Sequence, residues 1–214
     1  MPTGVRLRDP RATLLAAAKH ILVRQGPGAL TSRAVTDEAG LAKGVLHRHF
    51  DGIDDLIVTL VEERLSLTQR WASELRASAG RESVVATVAR TLIQAIDPVA
   101  IGLVNLAIAR DGVRRRLRLA GHSGLPTLPE TTAMLATYLS VEREMGRITR
   151  ETDPDVLART LVGTGHLLLA GDLGATPDQA AVEEVVEATL FSNLVPGRAR
   201  SDGPQTAQAS VRDR

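Results

Sequence analysis

The basic and imidazole side chains of residues 43–49 are the first candidates for chemistry in this sequence. Lys43 and Arg48 are able to donate hydrogen bonds to the phosphates or base edges of DNA. His47 and His49 suggest a metal ion, but histidines two positions apart point to different faces of a helix, and no cysteine or carboxylate completes a site. We therefore interpret His47 as a side chain near DNA and His49 as a partly buried supporting residue, and we expect no metal site.

The sequence lacks the common motifs of enzyme active sites. It has no Glu-x-x-His pair of the kind that binds two metal ions in helical enzymes, and neither a glycine-rich phosphate loop nor a nucleophile elbow. Cysteine is absent, which excludes disulfides and thiolate metal sites. We expect no catalytic residues and no cofactor, and an all-α enzyme is the less favoured class of function.

A second set of candidates consists of polar or amphipathic side chains inside apolar segments. A ligand pocket is mostly apolar with a few polar groups that orient the ligand. Four residues fit this description: Trp71, Asn105, Tyr138 and His166. Each has an ordinary alternative, because a buried polar side chain is often only hydrogen-bonded across the core. Aromatic residues are 2% of the chain, so we expect a small apolar or aliphatic ligand rather than one held by ring stacking.

Composition and periodicity predict an all-α fold. Hydrophobic residues are 43% and charged residues 24% of the 214, which is typical of a globular protein. The apolar residues are mainly Leu, Ala, Val and Ile at spacings of three and four, and extended alternating runs are few. The start lacks a secretory signal and no apolar run reaches the ~20 residues that span a bilayer, so we expect a cytoplasmic protein without membrane contact.

Three short helices are predicted in the first fifty residues. The first covers residues 9–25, the second begins after the N-cap Thr31 and ends at Gly40, and the third covers residues 42–49. Helix, glycine turn and short helix form the helix-turn-helix arrangement that binds the DNA major groove, although a purely structural hairpin is the alternative. Residues 1–50 contain eight Lys/Arg and three acidic residues, which favours DNA. The predicted DNA contacts are Thr31, Ser32, Arg33, Ala42, Lys43, Gly44, Val45, His47 and Arg48.

Two other basic groups have open interpretations. Arg6, Arg8 and Arg11 form either an arm that contacts phosphates or the minor groove, or a solvated tail. Residues 114–118, "RRRLR", attract an anionic ligand, lie near DNA, or form an ordinary solvated helix face, which is the more common explanation.

The rest of the chain reads as a larger helical domain. Asp54 or Asp55 can cap a long helix that ends near Ser78, and further helices are predicted at about 84–96, from Pro98, and at 130–145, 154–170 and 178–195. We divide the chain into an N-terminal arm with a helix-turn-helix domain (1–53), a helical ligand-binding and dimerisation domain (54–195) and a disordered tail (196–214).

The last two predicted helices suggest a homodimer interface. The final helix has a line of small residues (Ala181, Val185, Ala188, Ser192 and Val195) and a line of larger ones (Val182, Val186, Leu190 and Leu194), so two apolar faces need two partners. Gly163, Gly165 and Gly171 permit close approach on the preceding helix. We expect these helices to form a four-helix bundle across a twofold axis.

The stretch "AAAKHILVRQGPGALTSRAVTDEAGLAKGVLHRHF" resembles the N-terminal DNA-binding domain of the TetR family of transcriptional regulators. It shares the Ala-rich first helix, the Thr that opens the second, "AG" at the turn, and Gly, Leu and "HF" after it, over about residues 11–60. "EMGRITRETDPDVLARTLVGTGHLLLAG" is similar, less specifically, to the family's dimerising region. The resemblance implies an all-α homodimer with an internal ligand pocket and, usually, repression of an operator that a small molecule relieves.

Three positions depart from the family's pattern. His47 stands where Tyr is usual, Ile53 where Lys is common, and Ala42 where Ser is frequent. The resemblance implies that the Tyr and Lys positions mainly contact phosphates, so their replacement should weaken sequence-independent affinity. The alternative function is therefore a TetR-like protein with weakened DNA binding that acts through a protein partner.

Overall fold

The computed structural model describes residues 9–122, 125–171 and 178–195, and within these residues the fold is entirely helical. It confirms the predicted all-α class. The only strand-like pairing in the described part is a single bridge between Ile148 and Leu194. The helices are α1 Pro10–Gln25, α2 Ser32–Glu38, α3 Leu46–His49, α4 Ile53–Ser78, α5 Val84–Ala95, α6 Pro98–Ala109, α7 Asp111–Leu119, α8 Leu128–Glu144, α9 Pro154–Gly171 and α10 Gln179–Leu190.

Side-chain caps fix the start of the first two helices, and the sequence predicts the one at Thr31. Asp9 Oδ1 accepts a hydrogen bond of 3.0 Å from the amide of Ala12, and Thr31 Oγ1 accepts one of 3.1 Å from the amide of Ala34. Each cap pairs an amide that has no partner inside the helix. The turn after α2 contains Gly40 at φ 64°, a conformation that favours glycine.

The third helix differs from its prediction. Instead of one helix over residues 42–49, a 3-10 turn at Lys43–Val45 precedes the single α-helical turn of α3. Ala42 stands at the start of this segment and offers no side-chain cap. Leu46 and Phe50 are buried and hold the segment on α1, so tertiary packing rather than helix propensity maintains it.

The helix α4 starts differently from the prediction. Gly52, at φ 90°, occupies the N-cap position, and neither Asp54 nor Asp55 caps the helix. Both aspartates lie in the first turn, where their charge interacts favourably with the helix dipole. Asp55 Oδ2 also accepts a 2.9 Å hydrogen bond from the amide of Asp51 and so fixes the corner between α3 and α4.

Two apolar clusters form the core, and α4 contributes to both. The first half of α4 packs with α1, α2 and α3, and α6 and α7 add Leu103, Leu106, Val113 and Leu117 to this N-terminal cluster. The second cluster joins the C-terminal end of α4 to α5, α8, α9 and α10. The clusters therefore do not divide at residue 53, because side chains from α6 and α7 complete the first one.

The last helix is shorter than predicted. α10 ends at Leu190 rather than near residue 195, because the chain turns and the amide of Thr149 donates a 2.8 Å hydrogen bond to the carbonyl of Asn193. Within the described ranges, no single helix is both long and apolar enough to cross a membrane, and only α5 and α6 taken together as a bent pair reach that length and composition. The proposed tail, Arg6, Arg8 and residues 172–177 lie outside the described residues.

Candidate nucleic-acid interface and ligand cavity

The predicted DNA contacts lie on one exposed region at α2 and the turn before α3. Because α2 packs beside the 3-10 turn, this region brings together Thr31, Arg33 and the segment of residues 42–48. Ser32 and Val45 are half-buried, and the other seven predicted contacts are exposed. Around Gly44 no atom lies within 4 Å of where a Cβ would stand, so a bound surface can approach the backbone there.

The charged side chains of this region differ in their partners. Arg33 Nε lies 3.5 Å from Asp37 Oδ2, one helical turn later. Lys43 and Arg48 have no ion pair within the described residues. The two cations are therefore available to phosphates or base edges without first losing a partner. The hydroxyl of Thr31 accepts from an amide and keeps its own proton for donation.

The structure corrects the interpretation of one histidine and adds a second one to the region. His49 is exposed, as His47 is, so the prediction of a partly buried supporting role for His49 is wrong. The helix is a single turn, and Leu46 and Phe50 alone fill the space beneath it. A histidine that the prediction did not consider, His20 of α1, contacts Glu38 at the end of α2 through Nδ1 and Oε1. The described residues contain no group of three His, Asp or Glu that could hold a metal ion.

The basic helix α7 is anchored to the first turn of α4. Arg110, just before α7, lies 2.6 Å from Asp54, and Arg116 lies 3.7 Å from Asp55. Arg115 and Arg118 are exposed. Part of the "RRRLR" segment is thus a structural contact to α4, which none of the three sequence interpretations included. Arg11 also has a structural contact. Its guanidinium stacks on Phe50, with 5.2 Å between Cζ and the ring centroid.

A cavity of about 170 Å³ lies between α4, α5 and α8. Trp71, Leu75 and Met134 supply its apolar lining. Polar side chains share the lining, among them Thr87, Arg90, Thr91 and Gln94. The scarcity of aromatics in the sequence gave no indication of this polar character.

The four predicted ligand contacts are not brought together. Trp71 lines the cavity. Tyr138 is fully buried beside it and is hydrogen-bonded to Glu142 and to the cavity residue Thr87; burial, and then Glu142, raise the pKa of its hydroxyl far above the usual range. Asn105 is exposed, so the premise that it lies inside the helices is wrong. His166 is half-buried and is not part of the lining, and its Nδ1 lacks a partner within the described part of the chain.

A second, larger cavity of about 460 Å³ lies between α1, α4 and the start of α6. Lys19, Glu63, Arg64, Arg70 and Asp97 line it. None of the residues predicted from the sequence lines this cavity. The sequence does contain a signal for it, because Arg64 interrupts the otherwise apolar stripe of α4. In the structure this arginine is only 7% exposed.

The α9 and α10 surfaces retain exposed apolar residues. Leu167 is 77% and Phe191 81% exposed, and the small-residue line of α10 faces outward while its larger residues Val182, Val186 and Leu190 are buried in the chain's own core. Gly165 serves an internal contact instead of the expected interface. A Cβ at this position would lie 3.2 Å from both terminal carbons of Leu92 on α5.

Residues 14–60 match the sequence profile of the bacterial regulatory proteins of the tetR family. These residues form α1 to α3 and the first turns of α4, and they include the exposed cations described above. The N-terminal domain is therefore of the tetR type. Within the described residues, a larger helical region follows it.

Solved structures of TetR-type proteins share the whole architecture. A γ-butyrolactone receptor, an ArpA-like protein, is 22% identical, with a TM-score of 0.56 and coverage of 86% of this chain and 88% of that one. SmeT, the repressor of the Stenotrophomonas maltophilia multidrug efflux pump SmeDEF, is 16% identical, with a TM-score of 0.61 and coverage of 89% and 93%. SmeT has also been solved as a complex with triclosan, with a TM-score of 0.59, 16% identity and coverage of 95% and 99%. At these identities the likeness concerns the fold.

Proposed function

We propose that this chain is a TetR-family repressor that binds a palindromic operator as a homodimer and is released by a small molecule. The observation that supports this function most directly is that Lys43 and Arg48 are exposed, have no ion pair within the described residues and lie beside Gly44, which has no side chain. We propose that the protein acts in the cytoplasm, where its operator would lie. The expectation that it is not an enzyme stays a prediction.

In the proposed complex, the segment of residues 42–48 enters the major groove and α2 crosses the backbone. Lys43 and Arg48 contact phosphates or base edges, while Thr31 and the first amides of α2 face a phosphate. Ser32, Arg33, Ala42, Val45 and His47 complete the contact surface. Because His47 and Ile53 replace side chains implied to contact phosphates, affinity depends on fewer charge contacts and falls less steeply with salt.

The effector is proposed to enter the cavity at Trp71. The cavity's volume of about 170 Å³ is below the usual range of ~300–1,000 Å³ for ligand pockets, so binding a ligand requires the surrounding helices to move. Its mixed lining fits a small amphipathic molecule, with an apolar part on Trp71, Leu75 and Met134 and a polar group near Thr91 or Gln94. This modifies the apolar ligand expected from the sequence. A γ-butyrolactone receptor and a triclosan complex of SmeT share this fold, which supports a small-molecule effector here.

Ligand release of DNA is proposed to act through α4, which contributes to both apolar clusters. Movement of α4 changes the separation of the two recognition segments in a dimer from the ~34–36 Å between successive major grooves. The ligand must bind the displaced state better than the DNA-bound state, and the ratio of the two affinities limits derepression. The dimer forms through α9 and the outward face of α10.

Selection of DNA from a random duplex pool at two salt concentrations tests the proposal. We expect an enriched palindrome whose half-sites are one helical turn apart. Salt-sensitive binding without enrichment, or no binding, contradicts an operator-specific repressor and favours the alternative, a TetR-type protein that acts through a protein partner.

A further inference from the structure

A buried arginine on α4 contacts the end of α5 and the residue before α6, and it belongs neither to the recognition surface nor to the proposed effector contacts. Arg64 Nη1 donates a 2.8 Å hydrogen bond to Asp97 Oδ2, and Nη2 donates bonds of 2.9 Å to the carbonyls of Gln94 and Ala95. These carbonyls lie at the end of α5, and Asp97 precedes α6. The guanidinium therefore fixes the corner between α5 and α6 onto α4.

Arg64 does not line the cavity in which we place the effector, but it contacts two residues that do. Its guanidinium stacks on Trp71, with 4.9 Å between its central carbon and the ring centroid. Trp71 lines the cavity, and so does Gln94, whose carbonyl accepts one of the hydrogen bonds from Arg64. A ligand that turns the indole or displaces Gln94 acts directly on two partners of the guanidinium.

The other partner of Arg64 leads toward the DNA-binding region. Asp97 Oδ1 accepts a 2.8 Å hydrogen bond from the amide of Ala100, so the carboxylate pairs with Arg64 and caps α6 at the same time. α6 packs on α1 of the helix-turn-helix unit, where a Cβ added at Gly102 would lie 3.2 Å from Leu22 Cδ2. This close packing leaves little freedom for α6 to move without α1.

We propose that Arg64 is the positioning residue that couples the Trp71 cavity to the placement of α6 and α1. The proposal rests on the proposed function, because it assumes that the effector occupies this cavity. Its physical basis is that one side chain has partners on both sides: Trp71 and Gln94 in the cavity, Asp97 at the start of α6.

Two features provide Arg64 with a second arrangement. Its Nε is buried without a hydrogen-bond partner among the described residues, so the docked position leaves one donor unpaired. Arg64 also lines the cavity of about 460 Å³, together with Asp97 and with Glu63, which is paired with Lys19 at 2.7 Å. Loss of the indole contact lets the guanidinium leave the carbonyls of Gln94 and Ala95 and turn into this cavity, so that it no longer holds the end of α5 against α4. Coupling of this kind requires a switch between two discrete arrangements.

Amide hydrogen exchange in the full chain without DNA tests the coupling. Trp71→Leu removes the stacking partner and lies on α4, not α6. We expect it to accelerate exchange at Ala100 and Ile101 by roughly tenfold, with a smaller increase at the end of α1 and none in α9. Met134→Leu changes the same cavity from α8 and serves as the matched control, which should leave the α6 amides unchanged.

A double-mutant cycle separates coupling from a merely structural contact. Arg64→Lys keeps the charge but replaces the planar guanidinium, which bonds Asp97 through Nη1 and the two carbonyls through Nη2, with a single nitrogen. If Arg64 transmits the effect, Trp71→Leu adds no more than about twofold to α6 exchange in the Arg64→Lys background. Equal acceleration in both backgrounds, or no acceleration by Trp71→Leu alone, overturns the proposal.

The single tryptophan of the chain provides a second readout. Binding of the selected duplex is followed by anisotropy of a labelled DNA, and the Trp71 emission is recorded in the same titration. We expect DNA binding to shift the emission in the wild type and not in Arg64→Lys. Binding without an emission shift overturns the coupling, whereas failure of any duplex to bind contradicts the proposed function and leaves the exchange experiment to decide the role of Arg64.

Discussion

At the scale of single residues, the recognition surface is decided by which cations lack partners. Arg33 is paired with Asp37 on the same helix, whereas Lys43 and Arg48 are exposed and unpaired within the described residues. A paired cation must lose its partner before it contacts DNA, so its net contribution is smaller. Lys43 and Arg48 are therefore expected to contribute more to DNA affinity than Arg33.

Lys43→Ala should weaken binding to the selected duplex and lower the slope of log affinity against log salt by about 1, as loss of one phosphate contact requires. Fluorescence anisotropy at several salt concentrations measures both quantities. Arg81→Ala, which removes an exposed cation from the loop after α4, is the matched control. Unchanged affinity in Lys43→Ala would exclude Lys43 from the interface.

The buried hydroxyl of Tyr138 should make stability depend on pH in the alkaline range. Its pKa is raised in the folded chain by burial and by Glu142, and is ~10 when unfolded. The folded state therefore keeps its proton above pH 10 while the unfolded state loses it, so stability falls by up to ~1.4 kcal/mol per pH unit. Urea unfolding between pH 8 and 11 measures this, and Tyr138→Phe should remove this part of the slope. An identical slope in both proteins contradicts the assignment.

At the scale of elements, α2 depends on the N-cap residue that precedes it. Seven residues are too few for an isolated helix, so the cap and packing must stabilise it. Thr31 supplies the cap and also faces the proposed phosphate site. In the proposed complex, the same hydroxyl therefore caps α2 and contacts DNA.

Thr31→Ala should destabilise the chain by about 1 kcal/mol through loss of the cap, and it should also reduce DNA affinity. Thr31→Ser keeps the oxygen and is expected to preserve both properties. Chemical unfolding and duplex titration of the two variants measure the effects. The role assigned to the hydroxyl is wrong if Ser and Ala behave alike.

Sequence patterns predicted those features of the elements that depend on neighbours in the chain. The cap at Thr31, the left-handed Gly40 and the start of α6 after Asp97 are local, and the structure confirms them. The exposure of Asn105 and His49 was missed, because which face of a helix is covered depends on distant helices. The cavity lining and the contacts of Arg64 were missed for the same reason: they join α4, α5 and α8 across many residues of sequence.

At the scale of the whole molecule, the exposed apolar side chains of α9 and of the turn after α10 form the surface where we propose the contact with a second copy. Leu167 and Phe191 are each more than three-quarters exposed, and Val156 is 54% exposed on α9. Exposed apolar side chains in one region indicate association. A twofold contact places this face against the same face of a second copy.

Leu167→Lys should convert the expected dimer to a monomer, because a twofold interface would bury the new charge twice. Sedimentation equilibrium measures the mass. Leu119→Lys changes a residue that is 83% exposed on α7 and should leave the dimer unchanged. A wild-type chain that sediments as a monomer would falsify the homodimer proposal, and a dimeric Leu167→Lys would relocate its interface.

Side chains of α6 and α7 complete the N-terminal cluster, and this limits which segments of the chain can be exchanged with those of another protein. Leu103, Leu106, Val113 and Leu117 are each at most 4% exposed and pack against α1 and α4 from some fifty residues further along the chain. A chimera that transplants residues 9–53 onto the sensor of another regulator would leave that side of the cluster open to water. A stable chimera therefore requires the other protein to supply apolar side chains in place of these three leucines and one valine. Otherwise α6 and α7 must be transplanted together with the helix-turn-helix unit.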